Sequence, residues 1–163
     1  MGVISQLSKN NEINVTRDHF LEVLALSAFG CGCGVHRMIQ QHDSAIEVER
    51  VFHGELISDL IQSGVLPEAE RQNTLLFIRT RLQEYHAVLA EHGTASPTIE
   101  VDSAMEGIGT VFEQACRGPQ ANHTPNVQDA LTVLYLRHVA HEIFRGSLEA
   151  TKEGLQGKLG AVE

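Results

Sequence analysis

Five stretches of helix-spaced apolar residues, separated by glycine and proline, constrain the fold of this chain more than any other feature. In two of them the apolar residues alternate steps of three and four, which places them on one face of an α-helix. The first of these seams comprises Leu75, Ile78, Leu82, Tyr85 and Leu89, and the second comprises Val101, Met105, Ile108, Phe112 and Ala115. No segment alternates with a period of two for long enough to predict a sheet. The chain is therefore expected to be all-α.

Capping residues and helix breakers predict where the helices begin and end. Ser44 and Glu47 are spaced as a capping box, and Pro67 suits the first turn of a helix. By number, the expected helices are 16–41, 44–64, 67–93, 96–118 and 127–153. Because the connections are short, neighbouring helices are expected to run antiparallel. We expect one domain, residues 1–163, built as an antiparallel bundle of four long helices plus one additional helix, with flexible segments at 1–14 and 154–163.

The composition narrows the class of partner. The formal net charge is −9, with 12 Lys and Arg against 21 Asp and Glu, whereas binding to phosphate groups needs clustered basic residues. This balance argues against nucleic acid and against an anionic membrane, and no apolar run approaches the roughly 20 residues that cross a bilayer. Three cysteines, two of them two residues apart, are typical of reduced thiols. We therefore expect a cytoplasmic protein.

The most unusual segment runs from Gly30 to His36, where three glycines fall within five residues. Each glycine costs a helix about 1 kcal/mol relative to alanine, so something must offset the loss. One interpretation is a packing notch, in which Gly30 and Gly34 allow another backbone to approach. A second is a metal-ligand cluster of Cys31, Cys33 and His36, completed by a ligand from elsewhere. A third is a reactive thiol with a depressed pKa.

On the fifth helix, His138, His141 and Glu142 share one arc of the surface with Arg137 and Arg145. The simplest interpretation is that this arc is the solvent-exposed face of the helix. Three leucines fall in the same arc and suggest instead that a neighbour covers part of it: Leu131, Leu134 and Leu148. The spacing His-x-x-His brings two imidazoles onto adjacent turns, as a metal site requires.

Other helices carry side chains that could complete such a metal site. Glu106 lies on the fourth helix, and His86 flanks the apolar seam of the third. Glu49 and His53 are four residues apart on the second helix. Pairs of this kind are common by chance in an acidic, histidine-rich helical protein. Imidazole and carboxylate ligands suit several transition metals, so the expected cofactor, if one is bound, is an ion such as iron or zinc.

Three short motifs in the last two helices are similar to a known family. They are Ala104-Met105-Glu106-Gly107, Val127-x-Asp129-Ala130 and His141-Glu142-Ile143, and they resemble the last helices of the ferritin-like YciF-type bacterial stress proteins. The resemblance, over residues 104–144, implies a helical bundle in which Glu106 and His141 match the family's carboxylate and histidine metal site. A ferritin-like di-iron site normally uses paired Glu-x-x-His motifs, and no Glu stands three residues before any of the nine histidines. The resemblance therefore supports the helical bundle rather than iron oxidation.

Two functional hypotheses from different classes follow. In the first, the protein is a non-catalytic helical bundle whose acidic face or glycine notch mediates self-association, giving a homo-oligomer, or binding to another protein. In the second, it is a metal-binding ferritin-like bundle with a storage, redox or stress role, using His138, His141, Glu142, Glu106 and His86. The sequence has no phosphate-binding loop, dinucleotide-binding motif or catalytic serine motif. An enzyme is therefore the weaker expectation, and the first hypothesis is preferred.

Overall fold

A computed structural model describes residues 17–91, 101–118 and 127–160 of the chain. Within these residues the protein contains five α-helices, one 3-10 turn and no strand, so the all-α prediction is confirmed. In chain order the elements are α1 (Arg17–Met38), α2 (His42–Gln62), the 3-10 turn (Glu68–Glu70), α3 (Arg71–Glu91), α4 (Val101–Arg117) and α5 (Val127–Gly160).

The sequence predicts the end of α2 correctly but not its beginning. The helix begins at His42, and its N-cap is Gln41, whose side chain makes no capping hydrogen bond. The predicted capping box is therefore wrong, because the chain already enters the helix before Ser44, which lies inside the first turn. At the other end Gly64 has a φ of +74°, a conformation that favours glycine and ends a helix. The helix accordingly stops where the sequence predicts.

Some predicted boundaries fall outside the described residues. These are the N-terminal segment 1–14, the helix start at Thr16, the helix end at Gly93 and the helix start at 96–97. At the C-terminus, α5 continues to Gly160, past the predicted end at Glu153. The glycines of that segment therefore do not end the helix.

α1 is the central helix of the fold. It packs against all four of the other α-helices, most extensively against α5. The main apolar core draws its side chains from α1, α3, α4 and α5. A smaller core joins α1 to α2 and to the first half of α3. The predicted seams of α3 and α4 supply Ile78, Tyr85, Ile108 and Phe112 to these cores, all of them nearly inaccessible to solvent.

The glycines of α1 allow close contact with α5. A Cβ atom added at Gly30 would lie 2.8 Å from the carbonyl oxygen of Phe144 and 2.8 Å from Cβ of Ser147. One added at Gly34 would lie 2.8 Å from Cβ of Thr151. Carbon atoms in contact are normally about 3.5–4.0 Å apart, so neither position has room for a side chain. The segment is a packing notch, and the helix that fills it belongs to the same chain.

α1 is also apolar in composition. Among the described helices it is the one that is long and apolar enough to cross a membrane, which corrects the expectation that no segment would be. More than half of the apolar stretch is buried against other helices. The buried core helix of a soluble protein passes the same test of length and composition.

A buried ion pair ties α1 to α3. The carboxylate of Glu22 accepts hydrogen bonds from Nε of Arg81 at 2.8 Å and from Nη2 at 2.6 Å. The same guanidinium donates to Glu84 at 2.6 Å, and it stacks over the ring of Phe77 at 5.4 Å. Glu22 is almost wholly buried. A buried carboxylate is costly without a partner. The burial of Glu22 between α1 and α3 therefore depends on its contact with Arg81.

Candidate functional site

The first predicted site, on α5, lies at the surface. The side chains of His138, His141 and Glu142 are all exposed to solvent. The opposite face of the helix is buried in the core and includes Leu136, Val139, Ala140, Ile143 and Phe144. This is the arrangement expected from the simplest interpretation, in which the polar arc is the solvent-exposed face.

Two of the three leucines in that arc are exposed as well. Leu131 is 63% exposed and Leu134 is 64% exposed, whereas Leu148 is buried. Among the described residues, the expectation that a neighbour covers this face therefore holds for Leu148 but not for Leu131 or Leu134. We define the α5 stripe as the exposed residues that follow steps of three and four along this helix: Leu131, Leu134, His138, His141 and Arg145.

The remaining predicted ligands lie on other helices. Glu106 on α4 is exposed, and the ring of His86 on α3 packs edge-on against Phe29, with ring centroids 5.2 Å apart. In the part of the chain that the structure describes, no three His, Cys, Asp or Glu side chains are grouped closely enough to hold a metal ion. The structure therefore does not bring Glu106 and His86 together with the histidines of α5.

The alternative ligand cluster is also separated. Cys31 faces α5, where its thiol donates to the carbonyl oxygen of Ser147 at 3.8 Å. Cys33 is buried in the main apolar core, and His36 faces α2. The helix itself separates Cys31 from Cys33, because side chains two residues apart on it point in directions about 200° apart.

Burial also determines the chemistry of the thiols. It raises the pKa of Cys33 to about 12, and the nearby carboxylate of Glu49 adds to the rise. Burial likewise raises the pKa of Cys31 and that of Cys116, the latter to about 12. The thiolate is the reactive form, so the structure does not support the interpretation that this segment holds a reactive thiol.

We expect the buried thiols of Cys33 and Cys116 to resist alkylation in the folded protein. Iodoacetamide at neutral pH should modify them far more slowly than it modifies the urea-unfolded chain, because both the raised pKa and the surrounding core protect them. Mass spectrometry of the labelled peptides provides the measurement. Equal rates in folded and unfolded protein would contradict this prediction.

Three polar side chains meet between α1 and α2. Oε2 of Glu49 lies 3.2 Å from Nε2 of His36, and Oε1 of Glu49 lies 4.0 Å from Nε2 of His53. Each of the three side chains is less than one-fifth exposed. We call these residues the Glu49 cluster. Its carboxylate faces an imidazole nitrogen on either side.

A glycine of α1 makes room for the carboxylate. A Cβ atom added at Gly32 would lie 2.6 Å from Oε1 of Glu49 and 3.0 Å from its Cδ. Any larger residue at this position would therefore push the carboxylate away from α1. The middle glycine of the segment thus serves a different purpose from Gly30 and Gly34, which face α5.

The imidazole of His53 is largely buried beside Glu49. Its Nε2 atom is buried and has no hydrogen-bond partner in the structure. Burial lowers the pKa of His53, although the carboxylate of Glu49 acts in the opposite direction.

The cluster lies beside an open groove. His53 borders a groove of about 580 Å³ between α2 and α3, whose floor is formed by Leu75, Ile78 and Leu82. Gly54 lies at the same edge, and a Cβ atom added there would meet nothing within 4 Å. His53 is thus part of the groove lining, while its Nε2 atom is buried.

The sequence indicates Glu49 and His53 as one pair among several, and nothing in it connects them with His36. The i, i+4 spacing was a usable signal, because it places the two side chains on one face of α2. The connection to α1 depends on which helix packs over Gly32, and the periodicity of a single helix carries no information about that.

Comparison of the chain with family models, with characterised proteins and with solved structures finds no match in any of the three. The functional inferences below therefore rest on the residues and their geometry.

Proposed function

We propose that this protein is a non-catalytic helical protein that associates with a second copy of itself through the α5 stripe. The observation that supports the proposal is the exposure of Leu131 and Leu134, which lie one turn apart on the same face. Large apolar side chains grouped at a surface are typical of protein interaction sites. His138 and His141 continue the row, and histidine is more often buried than lysine or glutamate.

The spacing of the α5 stripe supports packing of helix against helix. Its residues occupy the a and d positions of a heptad repeat, which form the seam between two paired helices. Arg137 and Glu142 then occupy the flanking g and e positions. In a parallel pair, Arg137 of one copy faces Glu142 of the other, whereas an antiparallel pair would oppose like charges. The charges therefore favour a parallel pair.

The proposal includes a finer description of the fold. In it, α1, α3, α4 and α5 form an antiparallel bundle of the ferritin-like kind to which the motifs of α4 and α5 are similar, and α2 is the additional helix. The packing supports this arrangement, since α5 contacts α1 and α4, α3 contacts the same two helices, and α2 contacts mainly α1. A cytoplasmic location without nucleic-acid or membrane partners belongs to the same proposal, on the basis of the net charge of −9.

We expect Leu134→Glu to dissociate the pair. Burial of a leucine side chain contributes about 1.5–3 kcal/mol when complete, and a symmetric pair loses the contribution of two partly buried leucines. An increase of about 30-fold in the dissociation constant, or about 2 kcal/mol, is therefore expected. Sedimentation equilibrium over a range of concentrations measures it, since the chain mass is 17.9 kDa and the pair has twice that mass.

Leu76→Glu provides the matched control. Leu76 lies on α3 and is 63% exposed, so the substitution introduces the same charge at a leucine of equal exposure away from α5. It should leave the dissociation constant unchanged. A wild-type protein that stays monomeric at all accessible concentrations would refute the proposal, and so would equal effects of the two substitutions.

Glu142→Gln tests the orientation of the pair. In a parallel pair the substitution removes an attraction to Arg137 and weakens association by a few-fold, the size expected for an exposed ion pair. In an antiparallel pair it removes a repulsion between two glutamates and strengthens association. The sign of the change in the dissociation constant therefore distinguishes the two arrangements.

A second candidate function is metal binding in a storage, redox or stress role. The exposed pair His138 and His141 remains available for it on α5, and Glu142 lies beside them. The observation that favours this candidate is the Glu49 cluster, in which the carboxylate lies 3.2 Å from Nε2 of His36 and 4.0 Å from Nε2 of His53. The described residues contain no three such side chains grouped closely enough to hold a metal ion, so the candidate requires these side chains to rearrange.

A further inference from the structure

The groove between α2 and α3 combines an apolar surface with basic side chains. Its apolar lining consists of Leu75, Leu76, Ile78 and Leu82. The exposed residues Arg50 and Arg79 line it as well, and no Asp or Glu is found among its described lining residues. In a chain with 21 acidic and 12 basic side chains, this surface has the opposite charge to the molecule as a whole. Ligand sites have such a composition, with mostly apolar walls and a few polar groups that fix orientation.

We infer that this groove binds an amphipathic anion, a molecule with an aliphatic body and one carboxylate, of the class of the medium-chain fatty acids. The volume of the groove is about 580 Å³, whereas sites for small molecules typically measure about 300–1,000 Å³. The site lies on α2 and α3, apart from the α5 stripe, and does not require self-association.

Gly54 marks the open space between the two helices. A Cβ atom added at this residue would meet nothing within 4 Å, although the residue lines the groove. Where two helices pack directly, the side chains of one fill the spaces of the other. Here the apolar side chains of α3 are left uncovered, and an aliphatic chain can bury them. Each methylene group that is completely buried strengthens binding about 4-fold.

The two arginines lie at the same end of the groove. Residues 63–70 join α2 to α3, and this connection is too short to return the chain along a helix of 21 residues, so the two helices run in opposite directions. Nη1 of Arg71 donates to Oγ of Ser58 at 3.2 Å, which fixes their register. About two turns from that contact, Arg79 lies level with Arg50.

Both guanidinium groups have donors available for a carboxylate. Arg79 has no ion-pair partner among the described residues. Arg50 donates to Glu47 through Nε and Nη2, and its Nη1 atom takes no part in that pair. Guanidinium groups bind carboxylates through charge-assisted hydrogen bonds. The ligand therefore lies with its carboxylate at the arginine end and its aliphatic chain along the apolar side chains of α3.

Calorimetric titration of the full-length protein with dodecanoate, below the concentration at which it forms micelles, tests the inference. One molecule should bind per chain. Dodecyltrimethylammonium has the same chain length and the opposite charge, and it should bind at least about 10-fold more weakly because arginine repels it. Nonspecific adsorption to a protein of net charge −9 would instead favour the cation. Equal or tighter binding of the cation would overturn the inference, as would the absence of dodecanoate binding.

Two glycine variants test the position of the aliphatic chain. Gly54→Leu should weaken dodecanoate binding at least about 10-fold, because the new side chain takes the place of buried methylene groups. The open space accepts it without a clash, and leucine favours a helix over glycine. Gly146→Leu is the matched control, since Gly146 is exposed on α5 and a Cβ atom there also meets nothing within 4 Å. Equal affinity in the two variants would contradict the assignment.

Arg79→Met tests the contact with the carboxylate. It should weaken dodecanoate binding about 5-fold, the upper range for an exposed ion pair, and should not weaken binding of dodecyltrimethylammonium. An equal loss for both ligands would mean that Arg79 supports the groove without contacting the carboxylate, contrary to the inference. Circular dichroism checks that each variant is folded.

Leu76→Glu and Leu134→Glu separate this site from the α5 stripe. Leu76→Glu places a carboxylate in the groove and should weaken dodecanoate binding without changing the dissociation constant of the pair, whereas Leu134→Glu should have the reverse effects. Failure of the self-association proposal and failure of the ligand site are therefore distinguishable. If Gly54→Leu weakened self-association and left dodecanoate affinity unchanged, the occupant of the groove would be a second copy of the chain, and the inference would be wrong.

Discussion

Gly30→Leu is expected to destabilise the folded protein by about 3 kcal/mol or more. The first side-chain carbon would lie 2.8 Å from a main-chain oxygen of α5, and that oxygen cannot move without displacing the helix. Overpacking of a core typically costs about 1–3 kcal/mol, and more where backbone must shift. The better helix propensity of leucine offsets only about 1 kcal/mol of this. Urea denaturation of wild type and variant measures the difference in the free energy of unfolding.

Gly54→Ala is the matched control for this prediction. Gly54 lies within α2, and a Cβ atom there would meet nothing within 4 Å. The substitution should therefore stabilise the protein by about 0.5–1 kcal/mol, the ordinary gain of alanine over glycine inside a helix. If Gly30→Leu kept wild-type stability and changed only the oligomeric state, the notch would face a second copy, contrary to the packing of α1 on α5.

Arg81→Met should cost about 3 kcal/mol of stability at neutral pH. The substitution keeps an unbranched apolar stem but leaves Glu22 buried without its partner, and removing one partner of a buried ion pair costs about 3–5 kcal/mol. Arg81 is partly exposed, which places the expectation at the lower end of that range. The double variant Glu22→Met, Arg81→Met should recover most of the loss, because no uncompensated charge remains.

The effect of Arg81→Met should also depend on pH. Burial raises the pKa of Glu22 above its ordinary value, and Arg81 acts against that rise. Without Arg81 the folded protein holds the proton of Glu22 more tightly than the unfolded chain does. The stabilisation that comes from binding this proton is therefore complete below the ordinary pKa of the Glu carboxyl. It is lost as the pH rises through the higher pKa of Glu22 in the folded variant. The variant should lie closer to wild type in acid than at neutral pH.

Arg50→Met is the comparison for an exposed ion pair. Arg50 donates to Glu47 at 2.7 Å within α2, a contact as short as those of Arg81 but at the surface. Solvent screens such pairs, so no measurable loss of stability is expected. A loss in Arg50→Met equal to that in Arg81→Met would show that burial of Glu22 does not control the effect.

Local sequence signals were sufficient for most of the helices. The three-and-four spacing of α3 and α4 identified residues that pack in the core, such as Ile78 and Phe112. Gly64 marked the end of α2 because its backbone takes a positive φ. The capping box at Ser44 is wrong because the helix begins at His42, so Ser44 lies inside the first turn.

The site was less accessible to sequence reasoning. The spacing of the α5 histidines places them on one face of the helix. Of the two interpretations of that face, the solvent-exposed one matches the structure. The Glu49 cluster joins residues of two helices, so no single periodic pattern contains it. Cys31 and Cys33 are close in sequence yet face different surroundings, because a helix turns side chains two residues apart in nearly opposite directions.

The glycine segment of α1 illustrates the division between sequence and packing. From the sequence it follows that the chain is all-helical and that three small residues leave gaps on one helix, because spacing and side-chain size are local properties. Packing assigned each gap its occupant: α5 fills those at Gly30 and Gly34, and the carboxylate of Glu49 fills that at Gly32. The occupants come from distant parts of the chain, and their positions depend on how all five helices bury their apolar faces together. Whether a glycine serves packing or a polar site is therefore a property of the assembled fold.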